Sequence, residues 1–171
     1  MPTASFRVLY VCVILRHECG KLVHFDVTRN PSAKWTAQQI VEAFPWDTAP
    51  KYLLRDRDGI YGEHFRSRVK NMGINEVKIA PQSPWQNPYV ERLAGSIRRE
   101  CIDHFIVLNE RHLKRILAGY FNYYHNDRTH LSLGKDTPSG RSVQEKPENA
   151  KILALPRLGG LHHRYEWRKA A

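Results

Sequence analysis

The stretch "VLYVCVIL", Val8–Leu15, is apolar on nearly every residue. It is far too short to cross a bilayer, which takes about 20 apolar residues in a helix. Its β-branched side chains favour a strand. Continuous apolarity without alternation predicts a strand covered on both faces, and that demands layers above and below it. The next stretch, "LVHFDV", alternates instead, with Val23, Phe25 and Val27 on one side and Leu22, His24 and Asp26 on the other. The polar turn "RHECGK" between them predicts an antiparallel hairpin.

Helices then interleave with strands. "NPSAKWTAQQIVEAF" carries Trp35, Ile40, Val41 and Phe44 at roughly helical spacing behind Ser32, a suitable N-cap. The prolines of "PWDTAPK" end it. "YLLRD" is a short strand, Glu63–Met72 a helix closed by Gly73, and "NEVKIA" another strand. A loop rich in Pro, Gln and Asn, "APQSPWQN", opens a helix expected over 88–105, and a second long helix is expected over 110–124. The order strand, strand, helix, strand, helix, strand predicts an α/β domain over residues 1–138. Residues 139–171 read as a basic, irregular C-terminal tail.

Charge narrows the partners. The 171 residues carry a formal net charge of +10, and such a field attracts polyanions. No basic amphipathic helix with a long apolar face stands out, so nucleic acid is favoured over a membrane. The run at the start lacks a basic leader and is followed by no small-residue cleavage site, unlike a signal peptide. Three cysteines, Cys12, Cys19 and Cys101, contain no CxxC pair. They predict neither a disulfide framework nor a cysteine zinc site, and a reducing cytoplasm is the expected setting. Cys101 reads as a small buried helix residue before it reads as a nucleophile.

Two acids stand where chemistry on phosphates would need them. Asp56 follows a buried strand, where ligands gather in α/β sheets. Glu91 lies in the first turn of a helix, 35 positions later, where the helix dipole favours an acid. Convergent carboxylates beside arginines suit Mg²⁺, whose oxygen shell water and phosphate complete. Two such ions about 4 Å apart can activate an attacking oxygen and stabilise a departing one. The plainer alternatives are that Asp56 pairs with Arg55 or Arg57, and that Glu91 is an exposed helix acid.

"DRDGIY" resembles the segment carrying the second acid of DDE transposases and retroviral-type integrases. "QNPYVERLAGSIRREC" closely resembles the third-acid segment of bacterial insertion-sequence transposases, and "YYHNDRTHLSLGKDTP" their closing motif. The matches are in order and span most of Val8 to Pro138. The resemblance implies a ribonuclease H-like fold, with a mixed sheet flanked by helices. It implies DNA transposition or integration by metal-dependent strand transfer, with two Mg²⁺ or Mn²⁺ ions in the complete enzyme. DNA, as transposon ends and target, is the implied partner, and a homo-oligomer the implied working form.

Carried over residue by residue, Asp56 and Glu91 are the expected catalytic metal ligands, with Tyr61 at the family's aromatic position five after Asp56. Asp58 reads as a turn acid beside Gly59. Arg98 lies two helical turns beyond Glu91 and faces nearly the same way, so it can meet a phosphate flanking the scissile bond. Arg92 and Arg99 are offset and face backbone phosphates or solvent. Asn87 resembles the asparagine at the loop–helix junction; contact with a base, support of the loop and a plain helix-start role all stand open. Arg128 and His130 read as structural, Trp35 as core, and Trp85 as a candidate for stacking on a base.

The family's first acid is not found. Aligned on the first strand, it would precede Met1, and the nearest substitute, Asp26, is poorly placed. The resemblance implies that a central strand between Val8–Leu15 and Tyr52–Arg55 is truncated. Two readings compete: a transposase-type enzyme inactive as a fragment, or a non-catalytic basic DNA-binding protein derived from one. A hydrolytic metal nuclease of the same fold is a third.

Overall fold

The computed structural model describes residues 3, 7–17, 20–46 and 48–169. Cys19 and Asp47 lie outside them, as do Glu18 of the predicted first turn and the last two residues. β1 (Tyr10–Arg16) and β2 (Lys21–Thr28) form the antiparallel hairpin expected from the alternation. A bulge shifts the register between Ile14 and Leu15, where Ile14 opposes His24 and Leu15 opposes Leu22. The extra residue is Val23. One extra residue in a strand reverses the facing of the residues on its far side, so Leu22 joins Phe25 and Val27 in one core while Val23 packs on the other.

α1 (Ala33–Ala43) starts where Ser32 accepts a bond from the Trp35 amide at 3.2 Å. Its Ala37 and Ile40, with Phe44 just beyond, pack on Phe65 and Val69 of α2 (Glu63–Asn71). Trp35 is only half-buried and belongs to neither core. Gly73, at φ +72°, ends α2 in the left-handed conformation that a side chain would resist. β3 (Tyr52–Arg55) and β4 (Asn75–Lys78) pair in parallel.

α3 (Pro88–Glu100) is shorter than expected. Its helical run stops at Cys101, and a single 3₁₀ turn covers Ile102–His104. α4 (Glu110–Asn126) buries Leu113, Leu117 and Tyr120 against α3 and the β1–β2 hairpin. Cys101 is fully buried there, and burial pushes its thiol up to about 12. That thiol is a packing group and not a nucleophile.

Two expectations are corrected. The first strand is not covered on both faces: only Ile14 of β1 is buried, and Val8 and Tyr10 are about half exposed. The reason lies at its edge. β1 pairs with β2 and β3 with β4, but these are separate two-stranded sheets. β1 and β3 instead line one cavity of about 800 Å³, so no mixed sheet spans the described residues.

The C-terminal region is irregular only as far as Asn149. β5 (Ala150–Arg157) and β6 (His162–Lys169) form a regular antiparallel hairpin. Arg157 and Arg164 pin it to the buried Asp127 at 2.6 and 3.1 Å, and His162 stacks on Tyr123 at 4.3 Å between ring centres.

Candidate metal and DNA site

Asp56 immediately follows β3, and Glu91 is the fourth residue of α3. Both line a cavity of about 320 Å³, together with Tyr61, Ser83 and Asn87. The two acids thus reach one cavity from separate elements. Each side chain is exposed, and neither forms an ion pair among the described residues.

The arginines beside Asp56 are engaged elsewhere. Arg55 is buried, donates through Nε to Glu76 at 2.8 Å, and lies over the Tyr61 ring at 4.8 Å. Arg57 donates to the Ile79 carbonyl at 3.0 Å. The pairing that would have made Asp56 an ordinary surface acid is thus not made. Glu76, on β4, was the residue that sequence reasoning missed. A lone carboxylate on a short parallel strand gives little signal, since its meaning appears only with its neighbour strand.

Local bonds hold Asp56 in place. Its Oδ1 accepts the Asp58 amide at 3.1 Å, while Asp58 Oδ1 accepts the Ile60 amide at 3.0 Å. Asp58 is therefore a turn acid. Tyr61 packs edge-on against Phe65 at 4.8 Å. Its phenol is pushed up by burial first and by the Asp56 charge second.

Local bonds shape the loop before α3. Gln86 Oε1 accepts the Ala80 amide at 2.7 Å, and a 3₁₀ turn covers Pro84–Gln86. Gln82 holds φ at +54°, and Trp85 is 70% exposed. Asn87 occupies the N-cap position of α3, but its side chain makes no capping bond. Its Oδ1 is buried without a hydrogen-bond partner among the described residues.

The basic residues run along α3. Arg92 is exposed and forms no ion pair among the described residues, and Arg98 makes one exposed contact, to Asp103 at 3.7 Å. Seven residues of helix put Arg98 about 10 Å along the axis from Glu91 on nearly the same face. The Arg99 guanidinium folds back over Gly95, where a Cβ would lie 2.9 Å from Nη1. Asp26 does not join the site: its carboxylate takes Lys114 at 2.6 Å. Among the described residues, no group of three His, Cys, Asp or Glu side chains clusters as a metal site.

Arg128 and His130 are structural. Arg128 forks onto Glu100 at 2.6 and 2.7 Å, and His130 packs edge-on against Tyr124 at 4.7 Å. No helix among the described residues is long and apolar enough to cross a membrane.

Residues 72–138 match the family described as integrase core domain. An uncharacterized protein of insertion element IS476 from Xanthomonas euvesicatoria is 27% identical over 106 residues, covering 59% of this chain and 30% of that protein. Another, of insertion element IS407 from Burkholderia multivorans, is 25% identical over 122 residues, covering 68% and 43%. The chain thus spans less than half the length of these relatives.

Among solved structures, a chain of the simian T-cell lymphotropic virus intasome, in complex with a PP2A regulatory subunit, superposes with a TM-score of 0.65 at 13% identity. It covers 98% of this chain and 63% of that one. The catalytic core domain of BIV integrase gives 0.52 at 18% identity, covering 75% and 82%. These likenesses support a ribonuclease H-like α/β fold. Family match, insertion-element relatives and fold together make this chain similar to DDE transposase/integrase cores.

Proposed function

We propose that the chain carries the acid pair of a metal-dependent DNA strand transferase, with Asp56 and Glu91 as ligands. The observation that carries this reading is the pair of unpaired carboxylates lining one cavity among arginines that are bonded elsewhere. The donor set fits a hard divalent cation. Neither carboxylate forms an ion pair among the described residues, and Asn87, whose Oδ1 has no hydrogen-bond partner among them, lines the same cavity. Bound Mg²⁺ or Mn²⁺ would supply activation of an attacking oxygen and stabilisation of a leaving one.

The chain's own residues do the positioning. Asp56 is fixed by the Asp58 amide, and Glu91 by the start of α3. Arg92 and Arg98 project from the exposed face of α3 and would neutralise phosphates of DNA lying along it. Arg99 would do the same after leaving Gly95. The buried Oδ1 of Asn87 would have to be uncovered before it could accept from a base. A homo-oligomer would bring two DNA ends together.

Two carboxylates hold an ion less firmly than three, and a misplacement of 1 Å can lower a rate about a hundredfold. The 171-residue chain should therefore join no DNA in Mg²⁺ or Mn²⁺. Fused behind a strand bearing an aspartate, it should join a 3′-hydroxyl oligonucleotide to a plasmid, and Glu91→Gln should abolish that. Products that survive both Glu91→Gln and Asp56→Asn would refute the site. Strong joining by the unfused chain would show that another residue supplies the missing donor. The absence of a third clustered acid among the described residues favours a second reading, a DNA-binding protein without catalysis. A fusion that bound DNA and never joined it would select that reading.

A further inference from the structure

The C-terminal hairpin has a second surface that the acid pair does not use. Residues alternate across a strand, so His163, Tyr165 and Trp167 share the face of β6 opposite the one that Arg164 anchors to Asp127. Tyr165 is 60% exposed. Tyr165 and Trp167 form one wall of a cavity of about 540 Å³, and the loop from Thr129 to Gln144 forms the other. It shares no lining residue with the cavity of Asp56 and Glu91.

The loop wall is preorganised. Asp136 Oδ1 accepts the amides of Thr137 and Arg141 at 2.6 and 2.8 Å, so its charge is already engaged. Gly134 and Lys135 both hold positive φ, which turns the chain tightly there. Gln144 grips Trp167 by both backbone groups, donating to its carbonyl at 2.9 Å and accepting its amide at 2.7 Å. Thr137 is 3% exposed, yet its hydroxyl has no hydrogen-bond partner among the described residues.

Apart from the engaged Asp136, the charged side chains around the cavity are basic. Lys135 and Arg141 line it, and Lys146 sits 5.3 Å over the Trp167 ring. None of the three forms an ion pair among the described residues. On the other face of the hairpin Lys151 lies directly opposite Arg168, a like-charge pair that disfavours the ladder unless an anion lies nearby. An exposed ring, Tyr165, and a half-buried one, Trp167, beside cations that form no ion pair are the chemistry that holds a base by its face and its backbone by charge.

We propose that this cavity takes an unpaired nucleotide of a DNA strand. Tyr165 and Trp167 stack on its base, and Lys135, Arg141 and Lys146 meet the flanking phosphates. A paired base cannot present its face to the rings, so the site selects single strands over duplex. It stands apart from the acid pair, and its test needs no metal.

The experiment is fluorescence anisotropy with a mixed-sequence 12-mer carrying one 2-aminopurine, single-stranded and as duplex, at fixed salt. The intact chain should bind the single strand and quench the 2-aminopurine. Tyr165→Leu and Trp167→Leu should each weaken single-strand binding about tenfold, toward the low end of the range for one base on one ring, and relieve the quenching. Duplex affinity should move less than about twofold. Folded leucine variants with unchanged single-strand affinity would overturn the proposal. So would equal losses on both DNA forms.

Should either leucine variant unfold, Lys135→Ala with Arg141→Ala decides, since both side chains are exposed. That pair should weaken single-strand binding and flatten its salt dependence, and no change would overturn the proposal. Single-strand binding retained by a chain that binds no duplex along α3 would sink the strand-transfer reading and leave this one standing.

Discussion

Replacing Glu100 with alanine should strike the joint that holds the acid-bearing helix in place. Glu100 is the last residue of α3, nine positions after Glu91. Its carboxylate accepts two bonds from Arg128, at 2.6 and 2.7 Å, and one from the Tyr120 hydroxyl at 3.0 Å. Arg128 comes from the closing motif and Tyr120 from α4, so one carboxylate ties three segments together. Burial alone would raise the Glu100 carboxyl, but the Arg128 and Tyr120 bonds outweigh it and hold it below the usual range.

A hydrogen bond to a charged group contributes about 1.5–3 kcal/mol, and partial exposure argues for the low end. The fully buried Tyr120 would be left with an orphaned hydroxyl, which costs about 1–3 kcal/mol. Together these give a loss of about 3 kcal/mol, or a fall in Tm of about 10 °C for a chain of this size. Circular dichroism melts and urea titrations would measure it. In a Tyr120→Phe background the hydroxyl is gone, and the loss should shrink by about 1 kcal/mol. Because the folded carboxyl titrates low, its contribution is present above the unfolded pKa of about 4.3 and vanishes as pH falls through the folded value. A loss under about 1 kcal/mol at pH 7, or one that grew on acidification, would refute the network.

Three further outcomes are expected. The His125 Nε2 accepts the Leu22 amide at 3.0 Å, and burial first, then Lys21 and His130, lowers its pKa. The neutral ring therefore contributes stability that is present above the unfolded value of about 6.5 and lost below it. The Tm should drop between pH 7.5 and 5, and less so in His125→Gln; an equal drop in both would reject this. Arg98→Ala should reduce the salt slope of duplex binding by about 0.9, one phosphate contact, without altering sequence preference. An unchanged slope would remove Arg98 from the interface. Trp85→Ala should leave stability within about 0.5 kcal/mol, as an exposed change does, while weakening DNA binding; unaltered binding would make Trp85 a bystander.

Much of this architecture was legible because its signals are local. Ser32 caps α1 through a bond to the third residue after it, and Gly73 ends α2 because its φ is positive. Asp58 and Gly59 announce their turn within a few positions. The features that escaped were set by distant partners. The Val23 bulge flips Leu22 only because β1 pairs in a shifted register. The exposure of β1 depends on β3 belonging to a different sheet.

The C-terminal hairpin had a signal that charge obscured. "HHRYEWRK" alternates His163, Tyr165 and Trp167 with Arg164, Glu166 and Arg168, a period of two. Its basic side chains read as a solvated tail until Asp127 gathers Arg157 and Arg164. At the candidate site the two acids were readable from position. That Arg55 turns to Glu76 and leaves Asp56 free was not, because the contact crosses between two strands.

The most direct measurement of the central claim is Mn²⁺ binding followed by electron paramagnetic resonance, which counts free ion without requiring catalysis. If Asp56 and Glu91 share an ion, the intact chain should bind Mn²⁺, and Mg²⁺ should displace it. Asp56→Asn and Glu91→Gln should each weaken binding by about tenfold or more, the scale on which metal sites respond to lost support. Asp58→Asn, which alters only the turn acid, should leave it nearly unchanged. Mn²⁺ binding indifferent to both Asp56→Asn and Glu91→Gln would contradict the shared site.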